Sequence, residues 1–450
     1  MRVASFSASQ VHGYMDFDLT FNLNPTILVG PNGSGKTTAI RLIKALLEPS
    51  LADLLAISFT EASLLLSEGA REVTISARKS SDALMVSCSD ASGVLEISSI
   101  LLDEMGVDAF DAERLREASR VLRVKYSENR TFKAISRLEP PMFLGLNRLS
   151  ESNLDGETSV RRYDRVYGQQ NQKSRVVRGA RDSLGVSIWE MQSLVTTAFK
   201  RVRSLKDAQS ERLRKKLLLT GFKYEGVVGA NSYMDPPTLM QLSSQRSDIV
   251  AALREIGVDE ADIKREIDPF FQRVAELSDK VRRNNSPGDD DYDVEVTIEW
   301  LLNRAALRRL TELTASVQEF NAKSEQFLSR FQSFVECINR FFVDSGKCIE
   351  VDSVGSLKVF RPDETEVPLD ALSSGERQLL VMFGHIYFNS FGNRSNAFVI
   401  DEPELSLHLR WQEILVDEML ASNSRAQFII ATHSPEIVGD LVRNCVEVRR

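Results

Sequence analysis

Cysteine and histidine are scarce in this chain, with four of each among 450 residues, and Cys88, Cys337, Cys348 and Cys445 show no C-x-x-C spacing. A disulfide framework and a cysteine–histidine metal cluster are therefore excluded, and the thiols are expected to be reduced and buried. No apolar run approaches the roughly 18 residues that span a bilayer, and the first ten residues lack the apolar stretch of a secretion signal. The chain is accordingly placed in the cytoplasm, with no membrane partner. A net charge of −8 excludes a protein that coats nucleic acid with its whole surface, though it leaves room for a local basic stripe. What remains, 42% hydrophobic and 27% charged residues, is ordinary for a globular protein of two or three domains.

The chemistry begins at Gly30-Pro31-Asn32-Gly33-Ser34-Gly35-Lys36-Thr37, which fits the phosphate-loop pattern G-x-x-x-x-G-K-[ST]. Thr26 to Val29 is a compact β-branched run leading into it, and residues 38–47 carry apolar residues at helical spacing. Strand, loop and helix are thus expected in succession. Backbone amides from Asn32 through Thr38 supply directed donors, Lys36 a positive charge, and Thr37 a hydroxyl for Mg²⁺.

Two further apolar runs end in polar residues suited to phosphoryl transfer. Residues 397–400 deliver Asp401 and Glu402 at the carboxyl end of a buried strand, where open α/β sheets bind ligands. Asp401 is expected to hold Mg²⁺ through water, and Glu402 to activate the attacking water. Residues 428–431 lead to Thr432 and His433, whose imidazole can reach a γ-phosphate. Ahead of both, Leu372-Ser373-Ser374-Gly375-Glu376 stands at the start of an apolar helix. Serine hydroxyls and glycine amides at a helix start make an anion site, although the same string is also a helix cap.

In this order the four elements resemble the ABC-type ATPases, in the branch that includes RecF, the SMC proteins and the OLD-like enzymes. The resemblance implies an α/β head with a phosphate loop and mixed sheet, which hydrolyses ATP with Mg²⁺ between two subunits. Ser373, Ser374 and Gly375 would then face the γ-phosphate bound at Lys36 of a second copy, and Ser406 would lie in the dimer-facing loop. The sequence departs from the commonest signature, having Ser374 for glycine and Glu376 for glutamine. The usual glutamine loop has no clear match; Asn147 or Arg148 is the nearest substitute.

The head is split in sequence. Residues 1–148 and 346–450 are expected to fold together, with 149–345 inserted as helices and a short coiled-coil-like arm. Hairpins are expected near residues 73–87 and 349–360, and a strand at 142–146. Between 296 and 343 a long helix is predicted, in which Leu313, Phe320, Phe327, Phe334 and Phe341 recur every seven residues. Those phenylalanines are expected to pack against other insert helices, with homodimeric pairing second.

So long an insert separates the chain from transporter ATPases, and so short an arm from the SMC proteins. The layout resembles stand-alone ATPase subunits of bacterial anti-phage systems such as PARIS and Septu. It implies a homodimer or higher homo-oligomer, slow regulatory turnover, and a nuclease effector on another chain. The competing reading is a RecF-like DNA-binding ATPase of repair. A loop over 151–185 carries Arg161, Arg162, Arg165, Arg175 and Arg178, a stripe suited to DNA or an acidic protein, or simply a solvated face.

Overall fold

The computed structural model describes residues 1–108, 111–145, 183–221, 246–255, 329–388 and 396–449, with shorter runs between 259 and 279 and between 315 and 322. Outside the described residues lie Arg161, Arg162, Arg165, Arg175 and Arg178, the Asn147-Arg148 segment, and most of the predicted helix 296–343. Two compact units are present, one formed by Met1–Ala198 with Ser333–Arg450 and the other by Phe199–Gln332.

The strands of the first unit are β1 (Arg2–Val11), β2 (Met15–Thr20), β3 (Thr26–Val29), β4 (Glu61–Glu68), β5 (Arg71–Lys79), β6 (Ala83–Cys88) and β7 (Val94–Ser98). They continue with β8 (Met142–Gly145), β9 (Cys348–Val351), β10 (Leu357–Phe360), β11 (Glu366–Val367), β12 (Ala397–Asp401), β13 (Gln427–Ala431) and β14 (Cys445–Glu447). An antiparallel sheet runs β2-β1-β4-β5-β6-β7, a parallel one β14-β3-β13-β12-β8, and a small antiparallel one β11-β10-β9. The fold is the α/β, mixed-sheet head expected from the sequence.

Each sheet reads differently because each is buried differently. In β5, Val73, Ile75 and Ala77 point to the core while their neighbours do not, and the strand pairs with β6 through Ala77 opposite Val86. β12 and β13 lie inside the parallel sheet, with apolar side chains buried along almost their whole length, so their sequences run apolar without alternation. The two large sheets are joined by Gln427, only 1% exposed. Its Oε1 accepts from the Val3 amide at 2.9 Å, and its Nε2 donates to the carbonyls of Val3 at 2.7 Å and Asn22 at 3.1 Å.

Helix α1 (Lys36–Leu47) follows the phosphate loop and buries Ala39, Ile40, Leu42, Ile43 and Leu46. Helix α2 spans Ser183–Gly221, α3 Ser374–Phe388 and α4 Leu409–Ser422. In α3 nearly every residue is buried, and at Gly384 a Cβ would collide with the thioether of Met191 on α2, so only glycine permits that approach.

The phenylalanine seam divides between the two units. Phe320 lies in the Phe199–Gln332 unit and is buried, and Phe331, outside that seven-residue row, packs edge-on against Phe199 at 5.5 Å in the same unit. Phe334 and Phe341 do otherwise. Phe334 lies 5.6 Å from Tyr387 and 5.1 Å from Phe388, and Phe341 lies 5.3 Å from Phe383 and 6.3 Å from Trp411. Both are wholly buried, Phe334 against α3 and Phe341 against α3 and α4 of the head, which corrects the expectation that they pack on insert helices. Heptad spacing identifies an apolar face; it does not say which surface covers it.

All four cysteines are free, and only Cys88 and Cys337 are buried, so the expectation of four buried thiols holds for two. Burial pushes the Cys337 thiol up to about 12 and leaves it inert. Among the described residues, no helix is long and apolar enough to cross a membrane.

Candidate functional site

The order of the parallel sheet assembles the site. β13 lies between β3 and β12, with Asp401 opposite Ala431 and Ala431 opposite Leu28. Three neighbouring strands therefore release their chains at the same edge: β3 into the phosphate loop, β12 into Glu402, and β13 into Thr432 and His433.

Within the loop, Gly33 and Gly35 have φ of 77° and 95°, a region that costs other L-residues strain. A Cβ on Gly35 would also stand 2.7 Å from Cζ of Phe17 and 2.9 Å from Sδ of Met15. On Gly30 it would stand 2.8 Å from the Val448 carbonyl, just beyond β14, a short strand that the sequence did not suggest. Ser34 Oγ is buried without a hydrogen-bond partner among the described residues, and Asn32 and Gly33 are exposed. This close backbone curve, with α1 starting at Lys36, fits a polyphosphate.

Lys36 is 4% exposed. Its ammonium donates to the carbonyls of Gly30 at 2.7 Å and Pro31 at 3.4 Å, and lies 3.3 Å from Nδ1 of His433. An ammonium has only donors, so a hydrogen bond in this contact requires Nδ1 as the acceptor. Burial lowers the Lys36 pKa, while Glu402, Asp401 and Glu404 act in the opposite direction. Thr37 donates to Oδ1 of Asp401 at 3.3 Å. Burial raises the Asp401 pKa; the Thr37 hydrogen bond lowers it, and Glu402 and Glu404 raise it. This hydroxyl–carboxylate pair is an oxygen donor set of the kind that suits Mg²⁺. Thr38, one residue further along α1, is half-buried.

Glu402 leaves β12 with φ of 51°, and its amide donates to the Ala431 carbonyl at 2.8 Å. Ser406 also has positive φ, 68°, and is exposed. Two left-handed non-glycine residues so close together mark a tight reversal of a kind concentrated at functional sites.

The signature begins with a reciprocal cap. Ser373 Oγ accepts from the Glu376 amide at 3.3 Å, and Glu376 Oε2 accepts from the Ser373 amide at 2.7 Å. Glu376, where the commoner signature has glutamine, also pairs with Lys347 at 2.8 Å. Burial would raise its pKa, but Lys347 and the Ser373 amide outweigh burial and hold it below the usual carboxylate range. Ser373 and Ser374 are exposed, whereas Gly375 is buried, and a Cβ there would collide with the Ser406 carbonyl. Replacing Gly375 by alanine must displace backbone, so Gly375→Ala is expected to lower stability by about 1–3 kcal/mol, read as a shifted denaturation midpoint at constant slope.

Sequence reasoning overlooked the polar residues that tie these turns together. Glu404 Oε1 accepts from Thr432 Oγ1 at 2.8 Å and from the His433 amide at 2.7 Å. Gln412 donates to the Leu407 carbonyl at 2.9 Å and accepts from Ser434 Oγ at 2.7 Å, and Gln378 donates to the Pro403 carbonyl at 3.1 Å. Only the Ser373-x-x-Glu376 spacing was visible in advance, as a capping box.

Comparison with known proteins adds a family. The family model described as "AAA domain, putative AbiEii toxin, Type IV TA system" matches residues 196–439, more than half of the chain. Among curated proteins the chain is similar to "Retron Vc95 probable ATPase" of Vibrio cholerae serotype O1 biovar El Tor, 24% identical over 195 residues. That match covers 40% of this chain and 37% of the relative, so it spans little more than a third of the relative's length. Among solved structures, the Smc head bound to the C-winged helix domain of ScpA covers 99% of this chain and 94% of its own, at 10% identity and a TM-score of 0.40. The SMC head domain from Thermotoga maritima covers 97% and 91%, at 11% identity and a TM-score of 0.37.

Proposed function

Since the chain belongs to the AAA-domain family that matches residues 196–439, we propose that this ATPase is the sensor and scaffold subunit of an anti-phage defence complex. In this reading two heads close around ATP and Mg²⁺ in the cytoplasm, turnover is slow, and the closed state controls a separate effector nuclease. One observation carries it: Lys36, Thr37, Asp401 and His433 converge at the carboxyl ends of three adjacent parallel strands. The amides of Asn32 to Thr38 hold the phosphates. Thr37 and Asp401 hold the metal, Glu402 activates water, and His433 contacts the γ-phosphate.

The exposed Ser373 and Ser374 complete the site of a second copy, while Gly375 seats the signature helix on the turn carrying Ser406. The segment 149–345 holds or senses the partner, and Arg161, Arg162, Arg165, Arg175 and Arg178 form its contact to DNA or an acidic protein. Support for the defence context comes from the family description, which names a toxin of a toxin–antitoxin system, and from the relative named as a retron ATPase.

Sharing of the site is testable by complementation. Lys36→Ala and Ser373→Arg should each be inactive alone. Mixed in equal amounts, half the dimers are heterodimers with one intact site of two, so about a quarter of wild-type activity should return. No recovery in a mixture shown to exchange subunits would refute shared sites.

A further inference from the structure

Glu404 belongs to neither the phosphate loop nor the signature, and the chemistry assigned above does not use it. Its carboxylate nevertheless holds two donors of a different loop on a single oxygen, Thr432 Oγ1 at 2.8 Å and the His433 amide at 2.7 Å. The Thr432 hydroxyl accepts in turn from the Ser434 amide at 2.9 Å, so its proton is committed to Glu404. β13 ends at Ala431, and beyond it the sheet no longer serves the His433 amide; a side chain does so instead. Glu404 Oε2 is buried and takes no hydrogen bond among the described residues. A half-buried carboxylate whose one oxygen serves two donors while the other is buried and unused is costly, and such a cost calls for a reason.

The reason lies in what the two turns carry. Glu404 is part of the reversal that includes Glu402 and Ser406, and this reversal is held from the signature side by Gln378 on the Pro403 carbonyl and by Gly375 beneath the Ser406 carbonyl. On the other side stands His433, against the ammonium of Lys36. Gln412 makes a parallel brace, from the Leu407 carbonyl to Ser434. A continuous set of contacts therefore runs from the signature helix, through the turn after Glu402, to the imidazole beside Lys36. Glu404 is the member that touches the His433 backbone.

We propose that Glu404 is a positioning residue for turnover: it clamps the Thr432-His433 turn to the 402–407 reversal, so that the imidazole keeps its place at the nucleotide only while that reversal is closed on the signature helix. The proposal rests on the reading of His433 as the γ-phosphate contact and deepens it. A protomer that has rearranged its signature and its Ser406 turn on a partner thereby reports the change to its own nucleotide. The clamp acts through Oε1 as an acceptor, which a glutamine carbonyl reproduces, so charge is not its essential property.

The test compares steady-state ATP hydrolysis and equilibrium binding of a fluorescent ATP analogue in Glu404→Ala and Glu404→Gln, with Lys36→Ala and Glu402→Gln alongside. Glu404→Ala should lose about 30-fold or more in kcat while its nucleotide Kd stays within about threefold of wild type, since a displaced group costs rate more than affinity. Glu404→Gln should return to within about threefold of the wild-type kcat, because the acceptor is kept.

Wild-type kcat in the alanine variant overturns the clamp, as does a glutamine variant as impaired as alanine, or a Kd that rises in step with the loss of rate. Should Glu404→Ala not fold, Thr432→Val decides: it removes one of the two donors and should lower kcat about tenfold, and no change overturns the proposal. Normal hydrolysis by Lys36→Ala or Glu402→Gln would instead remove the reading of the site itself. With those two inactive and Glu404→Ala normal, only the clamp fails.

Discussion

Lys36→Ala should bind ATP too weakly to measure and hydrolyse none. The loss has two parts. The ammonium is a buried, charge-bearing donor held by the carbonyls of Gly30 and Pro31, and hydrogen bonds to charged groups are worth about 1.5–3 kcal/mol, or some 10- to 150-fold in affinity. Beyond that, Asp401, Glu402 and Glu404 all lie close enough to act on Lys36 electrostatically. Without the cation these carboxylates face a polyphosphate of their own sign, and Mg²⁺ alone is left to offset them.

Titration calorimetry with ATP and Mg²⁺ reads the result directly, with thermal unfolding as the check that the variant is folded. A Kd within threefold of wild type would detach the phosphate loop from nucleotide binding. Lys36→Arg separates charge from fit. Its guanidinium keeps the positive charge but replaces a compact ammonium with a wider planar fork, so recovery should be partial at most.

The strand ends proposed to carry the chemistry were legible because their physics is local. Thr26–Val29, Ala397–Asp401 and Gln427–Ala431 are apolar runs buried on both faces, and each stops at the residue type its ligand needs. Gly33 and Gly35 were legible for a similar reason: the loop needs φ values only glycine adopts freely. Strand order was not legible. Nothing in the sequence places β13 between β3 and β12, yet that order brings His433 beside Lys36 rather than a strand's width away.

The overlooked residues share one property, dependence on partners distant in sequence. Glu404 accepts from the turn after β13, and Gln427 bonds to β1. A polar residue reads as surface until its buried partner is known. The seam misled for the converse reason. Phe334 and Phe341 have the period of an arm but are covered by α3 and α4.

Glu402→Gln should bind ATP normally and fail to turn it over. Glu402 follows Asp401 directly, yet the two carboxylates differ in circumstance. Asp401 accepts from Thr37 and is tied to the loop, whereas the Glu402 carboxylate takes no hydrogen bond among the described residues, and φ of 51° turns the chain sharply at that point. A carboxylate without a hydrogen-bond partner among the described residues, one residue beyond the proposed metal-holding position, is free to take a proton from water.

Glutamine keeps the size and the acceptor oxygen and loses only the basicity. The expected fall in kcat is therefore about 10²- to 10⁴-fold with little change in Kd. Retained binding without hydrolysis also holds the proposed closed state, so light scattering should show the mass of the variant doubling with ATP and returning on exchange into ADP. Turnover at the wild-type rate would move the base elsewhere. A silent variant that stays monomeric with ATP bound would keep the base and remove the shared site, because closure depends on a second copy whereas proton transfer depends on this one carboxylate.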